Sequence, residues 1–173
     1  MSEANRTRAT WCLAALLVAG TALVYAPVAG FDFVAYDDRP YVTENPAVRA
    51  GLTLHGIRWA FSAFHSSNWH PLTWLSHMLD VELFGLAPGS HHLVSVGLHA
   101  LDSVLCLLAL QRLGLRRATA FAAAMLFALH PLRVESVAWI AERKDVLSAA
   151  FFFATLWLWR ATRDRAGRGS PGR

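Results

Sequence analysis

Apolar residues in this chain are gathered into runs rather than spread at core-like intervals. Trp11 to Ala29 carries no charge and matches the roughly 20 residues that cross a bilayer core of about 30 Å. Further runs lie at 93–110, 115–130 and 146–159. The last two are short for a full crossing, so each extends into its flanks or stops part-way beside a cavity, the setting in which broken helices are tolerated at membrane depth. The pattern predicts an all-α, polytopic membrane protein of about four transmembrane helices. Residues 1–10 form a cytoplasmic N-terminus, 11–159 the membrane domain with a long outer loop over 30–92, and 160–173 a disordered basic tail. A cleaved signal peptide is the alternative for the first run, because Arg6 and Arg8 precede it and Ala26, Ala29 and Gly30 close it. Its apolar stretch exceeds a signal core, and more spans follow.

The first outer loop is far longer than a connection requires. Thr53 is placed to cap a helix in which Ile57, Ala60, Phe61 and Phe64 form one apolar stripe. A second helix starts at Pro71, a favoured first-turn position, and puts Leu72, Leu75, Leu79 and Leu83 on one face. Both read as amphipathic helices lying on the membrane, with Trp59, Trp69 and Trp74 at headgroup level. In the second span, His92, Ser95, His99, Asp102, Ser103 and Cys106 recur mostly at three- or four-residue steps and line one side of a helix. Such groups face a bundle interior or a wet cavity. Interhelical hydrogen bonding, including a His99–Asp102 pair at i, i+3, is one role for them; direct catalysis and a transport path are others. If helical from Pro131, the connection between the last two spans stacks Glu135, Trp139 and Glu142 at i, i+4 and i+7, and it ends in the charged run Glu142-Arg143-Lys144-Asp145.

Composition agrees with the runs, since 55% of residues are hydrophobic and seven are Trp. The net charge of +4 and pI near 9.7 do not indicate nucleic acid, because no DNA-binding motif or basic helix face accompanies them. The basic residues orient the chain instead. Arg6 and Arg8, then Arg112, Arg116 and Arg117, then Arg160, Arg163, Arg165, Arg168 and Arg173 share one side of a four-span topology, the cytoplasmic side. The expectation is a multi-pass protein of a bacterial inner membrane with both termini cytoplasmic, and with Asp32, Asp37, Asp38, Glu135 and Glu142 outside. Cys12 and Cys106 have no metal-type spacing.

Candidate chemistry begins at Asp37 and Asp38, adjacent carboxylates directly after the first span. A solvated turn, an ion site, or a general base beside a charge-tuning neighbour would each use such a pair. Phe31, Phe33, Tyr36 and Tyr41 surround it and would raise the proton affinity of a partly buried carboxylate. Eight histidines are present, none in an HExxH or similar zinc spacing. His91 and His92 at the mouth of the second span, with His130 at the exit of the third, are candidates for binding phosphate or sugar hydroxyls. Arg143 and Lys144 would supply fixed positive charge to a phosphate.

These blocks are ordered along the chain in a familiar way. Phe33-Val34-Ala35-Tyr36-Asp37-Asp38 with Tyr41 and Asn45, Gly51-Leu52-Thr53, Trp59-Ala60-Phe61, Asn68-Trp69-His70-Pro71-Leu72-Thr73-Trp74-Leu75-Ser76-His77, His91-His92, and His130-Pro131-Leu132 through Val134-Glu135-Ser136-Val137-Ala138-Trp139 to Glu142-Arg143-Lys144-Asp145-Val146-Leu147 resemble the membrane portion of the transmembrane and tetratricopeptide-repeat proteins and their bacterial relatives. Those are similar to the C-type glycosyltransferase fold of protein O-mannosyltransferases. The resemblance implies a polytopic enzyme taking a sugar, typically mannose, from a lipid-phosphate donor to a hydroxyl of a protein or glycan acceptor on the outer face. It implies Asp37 or Asp38 as the base, with the other carboxylate placing the acceptor or a metal, and it sets Glu135, Glu142, Arg143 and Lys144 toward the donor. No cofactor is fixed by it, and a divalent cation stays open. The family's remaining spans and carboxy-terminal repeats lie outside this sequence, so the chain is expected to be an amino-terminal fragment, inactive alone. The alternative is a non-catalytic membrane anchor or remnant of such a protein.

Overall fold

The structure is a computed structural model that describes residues 2–168. Among them the chain is helical throughout, in eight α-helices joined by short 3-10 and π turns. Helix α1 (Glu3–Tyr25) begins at Ser2, whose side chain accepts from the Asn5 amide, and continues as a 3-10 turn over Ala26–Gly30. A cap follows: a π turn at Arg39–Thr43, α2 (Pro46–Arg49), α3 (Leu54–Ser62) and α4 (Pro71–Phe84). Then come α5 (Pro88–Arg112), α6 (Arg117–Leu129), α7 (Val134–Ala138) and α8 (Arg143–Arg168).

Local chemistry sets the boundaries. Asn45 Oδ1 accepts from the Ala47 and Val48 amides at 3.1 and 3.3 Å. Thr53 Oγ1 accepts from Gly56 at 2.9 Å, the cap its position predicts. Pro46, Pro71 and Pro88 each occupy a first helical position, where the missing N–H costs nothing. Gly85 ends α4 with φ +61°, a conformation that a Cβ disfavours. At Gly89 a Cβ would run into the Ala29 carbonyl, so a glycine lets the head of α5 approach the end of the first span.

Helix α5 is central and packs against α1, α6 and α8. On α6, Ala120, Ala124 and Ala128 are fully buried against Leu17 and Leu107. A row of small residues lets two backbones come close, the usual device where lipid removes the hydrophobic drive between helices. Among the described residues, two helices are long and apolar enough to cross a membrane: α1 with its 3-10 extension, and α5. A third candidate is the pair α6 and Pro131–Ala138, bent by 53° at the break. The expected four spans are therefore met by two or three. In α8 the uncharged stretch 146–159 lies between charged residues at both ends, which shortens its apolar part. That helix also continues to Arg168, so residues 160–168, expected as disordered tail, are helical; 169–173 lie outside the described residues.

The cap differs from two helices resting separately on a membrane. Trp74, expected at headgroup level, is fully buried in an apolar cluster with Tyr41, Val42, Val48, Ala60, Met78, Ile140 and Ala141. Trp69 stays exposed and donates its indole N–H to the Phe61 carbonyl at 3.0 Å. The leucine row of α4 keeps Leu72, Leu79 and Leu83 outward. The helix expected from Pro131 is interrupted: Pro131–Arg133 is a 3-10 turn, Trp139 is extended at φ −92°, ψ 119°, and Ile140–Glu142 is another 3-10 turn. The break separates Glu135 from Glu142 and cancels the expected stack. The polar row of α5 does face inward, with His91, His92, Ser95, His99, Asp102, Ser103 and Cys106 buried. His99 and Asp102 do not pair. His99 Nε2 bonds the Ala128 carbonyl at 3.0 Å, and both Asp102 oxygens are without a partner among the described residues.

Candidate functional site

The acidic pair splits into two environments. Asp38 has no exposed surface. Its Oδ2 accepts from the Val34 amide at 2.8 Å and its Oδ1 from the Ala141 amide at 2.9 Å, across 103 residues of chain. Burial raises its pKa, and the two N–H bonds offset only part of that. One carboxylate thus holds the segment after α1 against the turn before α8. Asp37 follows the same backbone but remains part-exposed at the surface of the cap.

A polar group centred on Tyr41 lies near Asp37, whose charge acts on the Tyr41 hydroxyl. Tyr41 is buried, and its hydroxyl pKa rises through burial first and then through the negative charges of Asp37 and Glu142. Asn68 Nδ2 donates to the Tyr41 hydroxyl at 3.0 Å. Lys144 Nζ meets Glu142 Oε1 at 2.5 Å and stays about a third exposed. Burial, and then the charge of Lys144, lower the pKa of His70, whose ring lies 5.5 Å from that of Tyr41. Beside this group Phe31, Val34, Tyr36, Val134, Ala138 and Trp139 line an apolar groove of about 410 Å³, with Glu135 on its wall. A part-exposed carboxylate, a cation that water can reach and an apolar groove sit together, a combination able to take a proton, face an anion and seat a hydrocarbon.

The remaining expected residues lie elsewhere. Arg143 is fully buried. It donates to Asp80, to the His91 carbonyl at 2.6 Å and to Ser95 Oγ at 3.2 Å, and so ties α4, α5 and α8 together. His91 Nε2 bonds the Gly85 carbonyl at 2.9 Å, and His92 Nε2 lies 3.4 Å from the Asp32 carbonyl. His130 Nδ1 accepts from the Leu132 amide at 3.2 Å, a cap of the turn at Pro131. Of the two cations expected near a donor, only Lys144 reaches the surface. Sequence reasoning passed over Tyr41, Asn68 and His70 as site residues, although all three lie in the blocks that carry the family resemblance. It also passed over His77 and Asp80, one turn apart on α4. Burial first, and then Arg143, lower the His77 pKa well below its ordinary value, while burial raises that of Asp80.

Comparison with known proteins finds relatives over much of the chain. The chain is 33% identical over 169 residues to protein O-mannosyl-transferase TMTC1 of Mus musculus, covering 90% of this chain and 17% of that protein. It is 39% identical over 87 residues to mouse TMTC3, covering 50% and 9%. With Drosophila melanogaster Tmtc1 the identity is 34% over 132 residues, covering 72% and 15%. The chain spans about a sixth of the length of the curated relatives it matches. No family model and no solved structure matches it.

Proposed function

From a chain that belongs to the family of the TMTC protein O-mannosyl-transferases, we propose the base-bearing part of a membrane glycosyltransferase, one that moves a mannosyl group from a polyprenyl-phosphate donor to an acceptor hydroxyl on the outer face. The observation that carries this reading is the division of labour in the acidic pair. Asp38 is locked by two backbone amides, and this supports a role for its part-exposed neighbour Asp37, which follows the groove residue Tyr36 in the chain.

In the proposed reaction, Asp37 accepts the hydroxyl proton as the acceptor oxygen forms a bond to the anomeric carbon. The carbon–oxygen bond to phosphate breaks on the opposite side, and polyprenyl phosphate leaves with the electron pair. Lys144, held by Glu142, faces the phosphate charge. The groove of Phe31, Val34, Tyr36, Val134, Ala138 and Trp139 takes the first isoprene units, with Glu135 at its edge. His91, His92 and Arg143 are then positioning residues that hold the cap together, and His130 shapes the turn that carries the groove. The orientation that goes with this reading keeps the basic flanks cytoplasmic and the cap outside.

Positioned general bases contribute about 10²- to 10⁴-fold to a rate. Asp37→Asn in the full-length protein bearing this segment is therefore expected to lower kcat for mannosyl transfer by at least about 100-fold, with membrane insertion and thermal stability retained. Transfer at the unaltered rate would remove Asp37 from the role of base.

A further inference from the structure

Behind the surface group lies a second cluster that touches neither sugar nor acceptor in the proposed transfer. His77 and Asp80 come from α4 and His91 from the first turn of α5. All three are buried, and one ligand atom of each lies within 4.8 Å of the others. The protonation of His91 follows from its partners. A carbonyl only accepts, so Nε2 carries the proton donated to Gly85. Nδ1 then turns a lone pair toward Asp80 Oδ2, 3.4 Å away. Two lone pairs facing one another in a dry site repel unless a proton or a metal ion sits between them, and Arg143 already donates to the same Asp80 oxygen. Neither ring nitrogen of His77 has a partner among the described residues, so this fully buried imidazole brings another free donor atom to the same spot.

The surroundings fit a cation. Metal-binding histidines usually give their second N–H to a backbone carbonyl or carboxylate, and ligating carboxylates are themselves hydrogen-bonded. Here Gly85 fills the first role and Arg143 the second. The Arg143 charge is within electrostatic reach of both Asp80 and Asp38, so two carboxylates face one fixed cation. Donor atoms around a tetrahedral zinc at roughly 2.1 Å lie about 3.4 Å apart, a spacing that small side-chain rotations would reach from the present one. Two imidazoles with one carboxylate suit zinc and its first-row neighbours, and not the hard cations calcium and magnesium.

We propose that His77, Asp80 and His91 bind a divalent transition metal, zinc first among them, as a structural tie between α4 and α5. The site is enclosed by the cap and joins two elements that the turn at Gly85 and the Arg143 side chain also hold together.

The test uses the untagged full chain in lipid nanodiscs, supplied with zinc and passed through a desalting column. Elemental analysis is expected to give about one zinc per chain, and cobalt in its place is expected to give the visible bands of a four-coordinate nitrogen–oxygen site. His77→Gln and His91→Gln should each weaken zinc by at least about 100-fold, as ligand loss should cost no less than the roughly 10- to 100-fold typical of an outer-shell change. His55→Gln, at an exposed histidine of α3, should keep the metal. The cobalt spectrum and a fall in thermal midpoint on chelation are read on the unaltered chain, so a variant that fails to fold does not decide the matter. No retained metal and no cobalt bands would overturn the site, and would leave a His91–Asp80 ion pair as the content of the cluster. Full zinc retention in a folded His77→Gln, His91→Gln double variant would overturn it equally.

Discussion

At Asp38 a carboxylate has left water to accept two amides, while Asp37, one residue earlier, keeps its contact with solvent. Asparagine at position 38 offers one acceptor oxygen where two are needed, so either Val34 or Ala141 loses its partner. A buried donor left unpaired costs about 1–3 kcal/mol, and Asp38→Asn is expected to lower unfolding stability in detergent by that amount. Asp37→Asn should leave the same measurement nearly unchanged. His70 adds a pH dependence whose sign can be worked out. Burial and Lys144 hold its pKa below the ordinary value, so the unfolded chain takes a proton before the folded chain does. Stability is complete above the unfolded pKa of about 6.5 and declines as pH falls below it. Asp38 pulls the other way: its raised pKa means the folded chain holds that proton more tightly and gains stability as pH falls through the folded value. Thermal midpoints measured between about pH 7.5 and 5.5 should fall less steeply with acidification in His70→Gln than in the unaltered chain.

At the scale of elements, period and capping were legible in the sequence, and irregular backbone was not. Thr53 and Pro71 marked the starts of α3 and α4 because capping chemistry is local. The inward polar row of α5 was legible because a helix turns a three- or four-residue spacing into a face. The interruption at Trp139 was hidden, since nothing in Val134-Glu135-Ser136-Val137-Ala138-Trp139 breaks a helix; the amide that Asp38 requires from Ala141 is a tertiary demand. Trp74 was misplaced for a related reason: its burial depends on Tyr41, Ile140 and Ala141, which come from distant parts of the chain. The alanine row of α6 makes a separate prediction. Ala124 is fully buried against neighbouring helices, so Ala124→Leu is expected to cost about 1–3 kcal/mol through overpacking, read as a lower thermal midpoint. Ala122→Leu, on the exposed face of α6, should be close to neutral.

Across the whole molecule, the site is assembled from both ends of the chain, and that limited what spacing alone could reveal. The structure leaves Asp37 and Lys144 part-exposed, and both were identifiable as candidates. Which of Arg143 and Lys144 reaches water was not, because adjacent residues on one helix point in different directions and only packing against Asp80 and Ser95 decides between them. The same was true of His77, Asp80 and His91, where a one-turn pair on one helix meets a histidine on the next. The tie between Asp80 and Arg143 also has a consequence for biogenesis. The two residues are 63 positions apart, and ribosomes add roughly 5–20 residues per second, so α4 waits about 3–13 seconds for its partner to be made. During that interval Asp80 and the underside of the cap stand open, and the cap closes only once the head of α8 is made.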